Sequence, residues 1–352
     1  MYFVLRGWRA GSLRALMVGG YYMKRIGFLV TIMVLLLAAG CSPTANFLVP
    51  ASPVASREAG FFRLLLGMSA VVFVIVEGLL IYNVTHHAKE RHEEIVPPQR
   101  YRQYVVEALY TGIPVVLVVI IFVITMRTMS AVAAPPPQPG DLNLRIVGHR
   151  WWWEYDYPDL NIKTANELHI PVNTNVQIDL ESMDVIHSFY VPQLSGKTDA
   201  IPGLTNHMWL RGDTVGQYHG QCSEYCGENH ANMRITVYVD SQADFDAWVA
   251  NQQQPPAAPQ DDLQQAGHDI IVDGVCSGCH DLGEDGPGNP TAPDLTHLMS
   301  RKTFAGAIFP LNNSTLTAWL EDTQAMKPGN DMDHKFSAEQ IQALVAYLST
   351  LK

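Results

Sequence analysis

Between Gln221 and Met233 the sequence places Cys222, Cys226, His230 and Met233 at successive intervals of four, four and three residues. Two thiolates, an imidazole and a thioether form a soft donor set, and such sets select copper where electrons must move. A zinc site would use the two cysteines, the histidine and one more nitrogen or sulfur ligand, and would leave Met233 without a task. A disulfide between Cys222 and Cys226 is open to a domain that is exported. Neither alternative accounts for His187, which stands in Asp184-Val-Ile-His187-Ser-Phe, 35 residues before Cys222.

A second group is Cys276-Ser-Gly-Cys279-His280, the C-x-x-C-H pattern that attaches c-type haem. Two thiols one helical turn apart can add to two vinyl groups, and the adjacent imidazole then reaches iron from the proximal face. A thioredoxin-like pair would sit after a strand of a βαβ unit, whereas this neighbourhood reads as helical. A zinc site lacks its other two ligands nearby. Candidates for the second axial ligand are His297, Met299, Met326, Met332 and His334. The run Lys327-Pro-Gly-Asn-Asp-Met332 resembles the Pro-Gly-x-x-Met segment that supplies the distal sulfur in small class I cytochromes c, and this favours Met332 over Met326. A thioether ligand favours ferrous iron and a high potential.

These groups need elements to hold them. The 352 residues are 47% apolar but only 16% charged, with a mean hydropathy of +0.03. Soluble domains carry more charge, so membrane segments diluted by soluble parts are expected. Residues 1–40 read as a leader: Lys24-Arg25, then apolar Ile26–Ala39 and small residues. Cys41 directly after Ala-Ala-Gly resembles the first mature residue of a bacterial lipoprotein, which implies lipidation there. An arm and two spanning helices follow within 41–134, at about 61–84 and 108–130, each long enough to cross a bilayer. Between them lie Lys89, Arg91, Arg100 and Arg102, which places that loop on the cytoplasmic side and both ends outside. Glu77 lies mid-span, where an ionisable group must face a partner helix or water.

Residues 135–140 form a stiff proline-rich linker. Over 141–250, short β-rich runs at 144–147, 168–172, 176–180 and 234–239 predict a sandwich. A second linker covers 251–262. Residues 263–352 read as helices, the last with Ser337 as N-cap and Gln340 at N3. The net charge of −11 divides into +6 over 1–134 and −17 over 135–352. The acidic balance excludes a nucleic-acid binder and suits a basic partner.

With these segments in place, the sequence resembles subunit 2 of cytochrome c oxidase carrying a fused C-terminal cytochrome c domain, as in the caa-type haem–copper oxidases. The resemblance implies a multidomain membrane protein: a two-helix hairpin, an all-β cupredoxin-like sandwich and an all-α class I cytochrome c domain. It implies a dinuclear copper centre (CuA) bridged by Cys222 and Cys226, with His187 and His230 each capping one copper. Met233 and the backbone carbonyl of Glu224 are then weak ligands, and the Glu224 side chain reaches a magnesium shared with the catalytic subunit. Haem c is held by Cys276, Cys279, His280 and Met332. Trp151, in Gly148-His-Arg-Trp-Trp-Trp-Glu-Tyr, matches the tryptophan that receives electrons from cytochrome c. Glu107 matches a glutamate at the entrance of a proton channel, although a solvated residue at the membrane edge fits it equally.

The resemblance implies a cytochrome c oxidase whose oxygen site is on another subunit. The partners implied are subunits 1 and 3, and a basic cytochrome c or an upstream respiratory complex as donor. The setting is the bacterial inner membrane with both metal domains outside. Two alternatives stay open: the corresponding subunit of a nitric oxide reductase, and a freestanding membrane-anchored electron carrier.

Overall fold

The computed structural model describes residues 46–87, 103–133, 135, 137–283 and 291–352, together with Phe28, Thr31 and Ile32. The leader, Cys41 and the basic residues Lys89, Arg91, Arg100 and Arg102 lie outside the described residues.

Helix α1 spans Pro53–His87 and α2 spans Tyr104–Val132. Past the buried Val54, Ala55 and Ala59 at the start of α1, their apolar side chains are mostly exposed rather than folded into a core. At 35 and 29 residues, both exceed the ~20 that a bilayer core requires. Each helix is tied to the domain that follows. The Ser52 hydroxyl donates to the carbonyl of Leu194 at 2.6 Å and accepts from the amide of Ala55 in the first turn of α1. The Trp209 indole donates to the carbonyl of Val132 at the end of α2, at 2.9 Å.

Ten strands then build a two-sheet sandwich: β1 Leu142–His149, β2 Trp152–Tyr157, β3 Ile162–Ala165, β4 Glu167–Pro171, β5 Val176–Ser182, β6 His187–Tyr190, β7 Thr198–Ala200, β8 Asn206–Leu210, β9 Gly216–Cys222 and β10 Arg234–Asp240. One sheet has the order β3-β2-β1-β5-β8 and the other β4-β10-β9-β6-β7. Pairs β1–β5 and β4–β10 run parallel, with Leu142 opposite Val176 and Glu167 opposite Thr236. Inward-facing residues of both sheets fill the core, among them Ile146, Trp153, Tyr155, Leu168, Leu180, Phe189 and Val237. Along β5 the buried positions alternate with more exposed ones, as a period of two requires.

Helix α3, Gln242–Gln252, closes the sandwich, with the Ser241 hydroxyl accepting from the amide of Asp244. The remaining elements are α4 Asp262–Val272, a small hairpin of β11 Thr303–Phe304 and β12 Phe309–Pro310, α5 Asn313–Glu321, the single turn α6 Thr323–Met326, and α7 Ala338–Leu348. The Ser337–Gln340 capping box starts α7, as its sequence predicts. Helices α4 and α7 cross at Gly267, where an added Cβ would meet the carbonyl of Ala343. Ile271, Leu316, Leu320, Leu344, Tyr347 and Leu348 form the core of this second domain.

Candidate copper centre and haem cleft

The donor atoms of the first group converge at one end of the sandwich. His187 opens β6 and Cys222 closes β9, and the loop from Cys222 into β10 brings Cys226, His230 and Met233. The two cysteine sulfurs are 3.8 Å apart, far beyond a disulfide bond and free to share metal ions. His187 Nδ1 lies 3.9 Å from Cys222 Sγ, and His230 Nδ1 lies 3.6 Å from Cys226 Sγ. Met233 Sδ is 3.9 Å from Cys226 Sγ, and the Glu224 carbonyl oxygen is 3.3 Å from Cys222 Sγ. His187, Cys222 and Cys226 bring their donors within 4.8 Å of one another. Every donor type that a copper pair needs is therefore present and aimed inward, so the residues fit the group.

Surrounding contacts orient these donors. His187 is fully buried, and its Nε2–H donates to Asp184 Oδ1 at 2.8 Å, which leaves Nδ1 for a metal. Burial alone would lower the His187 pKa, but hydrogen bonds to Asp184 and Cys222 outweigh it and raise it. The adjoining sulfurs and the His187 hydrogen bond ease loss of a proton from Cys222 and oppose loss of a second from Cys226, so the pair gives up its first proton readily. Gly148 on β1 admits the His187 ring, because a Cβ there would overlap it. The Glu224 side chain points away from the sulfurs to an ion pair with Lys197 at 3.3 Å.

The second group lines a cleft in the helical domain. It encloses about 1160 Å³ of space, its open mouth included, and Cys276, His280 and Met332 stand on its walls with Ile271, Leu298 and Leu348. Cys279 is exposed beside it. His280 Nδ1–H donates to the carbonyl of Pro293 at 2.7 Å, which leaves Nε2 free. Burial lowers its pKa, so the imidazole stays neutral and able to bind iron. The five axial candidates now separate. Met332 lines the cleft, whereas Met326 and Met299 do not. Both His297 nitrogens are 3.0 Å from carbonyl oxygens, of Lys352 and Gln254, and His334 packs on Phe336. The Trp319 indole donates to Met332 Sδ at 3.3 Å. An apolar slot with an oriented imidazole on one wall and a thioether on another fits a haem.

The two sites share a wall. Trp151 and Trp152 of the sandwich line the haem cleft. Trp151 is only 9% exposed, and its Nε1 donates to the carbonyl of Cys226 at 2.9 Å. Asn229, between Cys226 and His230, donates from Nδ2 to the carbonyl of Pro328 at 2.9 Å. The amide of Arg234 donates to the carbonyl of Gly306 at 3.0 Å. Buried Glu167 of β4 accepts from the amides of Lys302 and Thr303 at 3.1 and 2.7 Å. Buried Arg301 donates from Nε to Thr164 Oγ1 at 3.3 Å. Sequence reasoning missed Asn229, Glu167, Arg301 and the side chain of Lys327, all at this seam. No local pattern marks them, because their partners lie many residues away.

Comparison with known proteins follows the same division. Residues 160–240 match the family "Cytochrome C oxidase subunit II, periplasmic domain", and residues 264–352 match the family "Cytochrome c". Cytochrome c oxidase subunit 2 of Alkalihalophilus pseudofirmus is 33% identical over 333 residues, covering 92% of this chain and 96% of that protein. The chain belongs to the cytochrome c oxidase subunit 2 family. The subunit 2 of Bacillus sp. strain PS3 is also 33% identical, covering 91% of this chain and 95% of its own. Among solved structures, the periplasmic domain of cytochrome oxidase subunit II of Bradyrhizobium japonicum is 34% identical over 33% of this chain and 96% of its own, with a TM-score of 0.32.

As a subunit 2, the chain is part of a cytochrome c oxidase and receives electrons for a haem–copper oxidase complex with other subunits. It is anchored by two membrane helices and carries periplasmic domains. Membership of the two domain families points to copper in the first domain and haem in the second. Glu77 lies within α1 and Glu107 in the first turn of α2, both remote in sequence from the metal-binding groups.

Proposed function

We propose that electrons reach a dinuclear copper centre in this subunit from its own haem c, and continue to the catalytic subunit, where oxygen is reduced and protons are moved. The observation that carries this reading is the shared wall: Trp151 lines the haem cleft and hydrogen-bonds the carbonyl of Cys226. Bound there, haem and copper supply reversible one-electron chemistry, with no bond to carbon made or broken. Everything else is the work of the chain's own residues.

In this reading Cys222 and Cys226 would hold the copper pair jointly, and His187 and His230 would each hold one copper. Met233 and the Glu224 carbonyl are the weak ligands. Asp184 orients the His187 ring, and the ligands stand on β6, on β9 and on the loop between β9 and β10, strands paired into one sheet. Cys276 and Cys279 would attach the haem, and His280 and Met332 would hold its iron. The Glu224 side chain, paired with Lys197 here, would be a ligand for a magnesium shared with subunit 1. Glu107 marks the mouth of a proton channel. Subunits 1 and 3 are the membrane partners, and a basic cytochrome c or an upstream complex reduces the haem. The complex sits in the bacterial inner membrane, with Cys41 as its lipid anchor.

Cofactor analysis of the purified complex tests the assignment. The wild-type complex is expected to hold a copper pair and a covalent haem in this chain, with a mixed-valence copper EPR signal. Cys226→Ser should lose that signal and keep the haem. A single isolated copper in the wild type, or an unaltered signal in the variant, contradicts the reading.

A further inference from the structure

Lys327 opens the run that ends at Met332, yet its side chain is only 4% exposed. Among the described residues no ion pair includes it. A buried ammonium without a carboxylate is costly, and a methionine of similar shape would fill the same space more cheaply. Packing within the haem domain therefore does not explain a lysine here. Its hydrogen bonds do. Nζ donates to the carbonyl of Ala305 at 3.0 Å, in the β11–β12 turn of the haem domain, and to the carbonyl of Trp151 at 3.2 Å, in the copper domain. One acceptor lies on each side of the seam.

Both ends of this clamp lead to metal ligands. On one side, Trp151 continues through Nε1 to the Cys226 carbonyl. On the other, Lys327 begins the loop of Met332, and the next residue, Pro328, accepts from Asn229 in the copper-binding loop. We propose that Lys327 is a positioning residue for electron transfer: its ammonium pins the loop of the distal haem ligand against Trp151 and so sets the gap between haem c and the copper pair. This rests on the haem-to-copper path proposed above. The competing role is a charge partner for a haem carboxylate, since Lys327 also lines the haem cleft.

The test uses the full oxidase complex with Lys327→Met and Lys327→Gln. A photo-injected electron reduces haem c, and haem c oxidation and copper reduction are followed separately. Both variants should keep covalent haem, its thioether band and the copper signal. Electron transfer slows steeply as the gap between donor and acceptor widens, so Lys327→Met should slow haem-to-copper transfer severalfold. Lys327→Gln keeps donors for the two carbonyls and should slow it less, and onward transfer from copper should not change. An unchanged rate in Lys327→Met, with wild-type transfer intact, overturns the role of Lys327 alone. So does a slowing fully accounted for by a shifted haem potential, which would assign the lysine to a haem carboxylate. Absence of haem-to-copper transfer in the wild type overturns the path itself.

Discussion

At the scale of single residues, the chemistry rests on which nitrogen of each histidine is left free. His187 gives its Nε2–H to Asp184, and His280 gives its Nδ1–H to Pro293, so each ring offers its other nitrogen to a metal. Asp184 is itself held as a carboxylate: burial would raise its pKa, but hydrogen bonds from His187 and from the amides of Val185 and Arg150 lower it overall. Asp184→Asn should therefore weaken copper retention by roughly 10- to 100-fold, measured by chelator competition, with haem content unchanged. Equal retention would mean that the frame alone orients His187. The ligands themselves were legible in the sequence because metal chemistry restricts both residue type and spacing. The role of Asp184 emerges only in the fold, although it stands three residues before His187, and Glu167 and Lys327 act across 136 and 176 positions and left no local trace.

At the scale of elements, the strands and helices follow from periodicity and caps. The expected strand at 176–180 is β5, and the one at 234–239 is β10, each longer by one or two residues where pairing continues past the apolar run. The spanning helices also outrun their apolar cores, because their ends dock on the sandwich through Ser52 and Val132. The proline-rich stretch after α3 shows what composition alone does not tell. His297 lies within hydrogen-bond reach of the carbonyl of Gln254, and Tyr347 donates to that of Ala257, so this stretch is laid along the haem domain as part of its surface. The α4–α7 crossing is the tightest element contact there. Gly267→Val would press side-chain carbons onto the Ala343 carbonyl and should destabilise the haem domain by roughly 1–3 kcal/mol. A thermal melt followed through haem absorbance checks this, and an unshifted midpoint would show that the helices can separate freely.

At the scale of the whole molecule, the charge divides into +6 over residues 1–134, leader included, and −17 beyond them. The two apolar helices hold the chain in the membrane, and the acidic balance lies in the domains that follow them. The resemblance to the family implies that Trp151 is the tryptophan through which electrons enter. In this fold the attached haem domain covers Trp151, and in the proposed path that tryptophan takes electrons from the chain's own haem. That arrangement is invisible to motif reading, since each domain's motif is complete without the other. It rests on buried Glu167, Arg301 and Lys327 at one seam.

Time-resolved reduction of the oxidised complex tests that central claim directly. After haem c is reduced by a light pulse, its reoxidation and the reduction of the copper pair should share one rate constant that does not change with protein concentration. Copper reduced ahead of haem c, or a rate that rises with concentration, would contradict transfer across the seam within one chain.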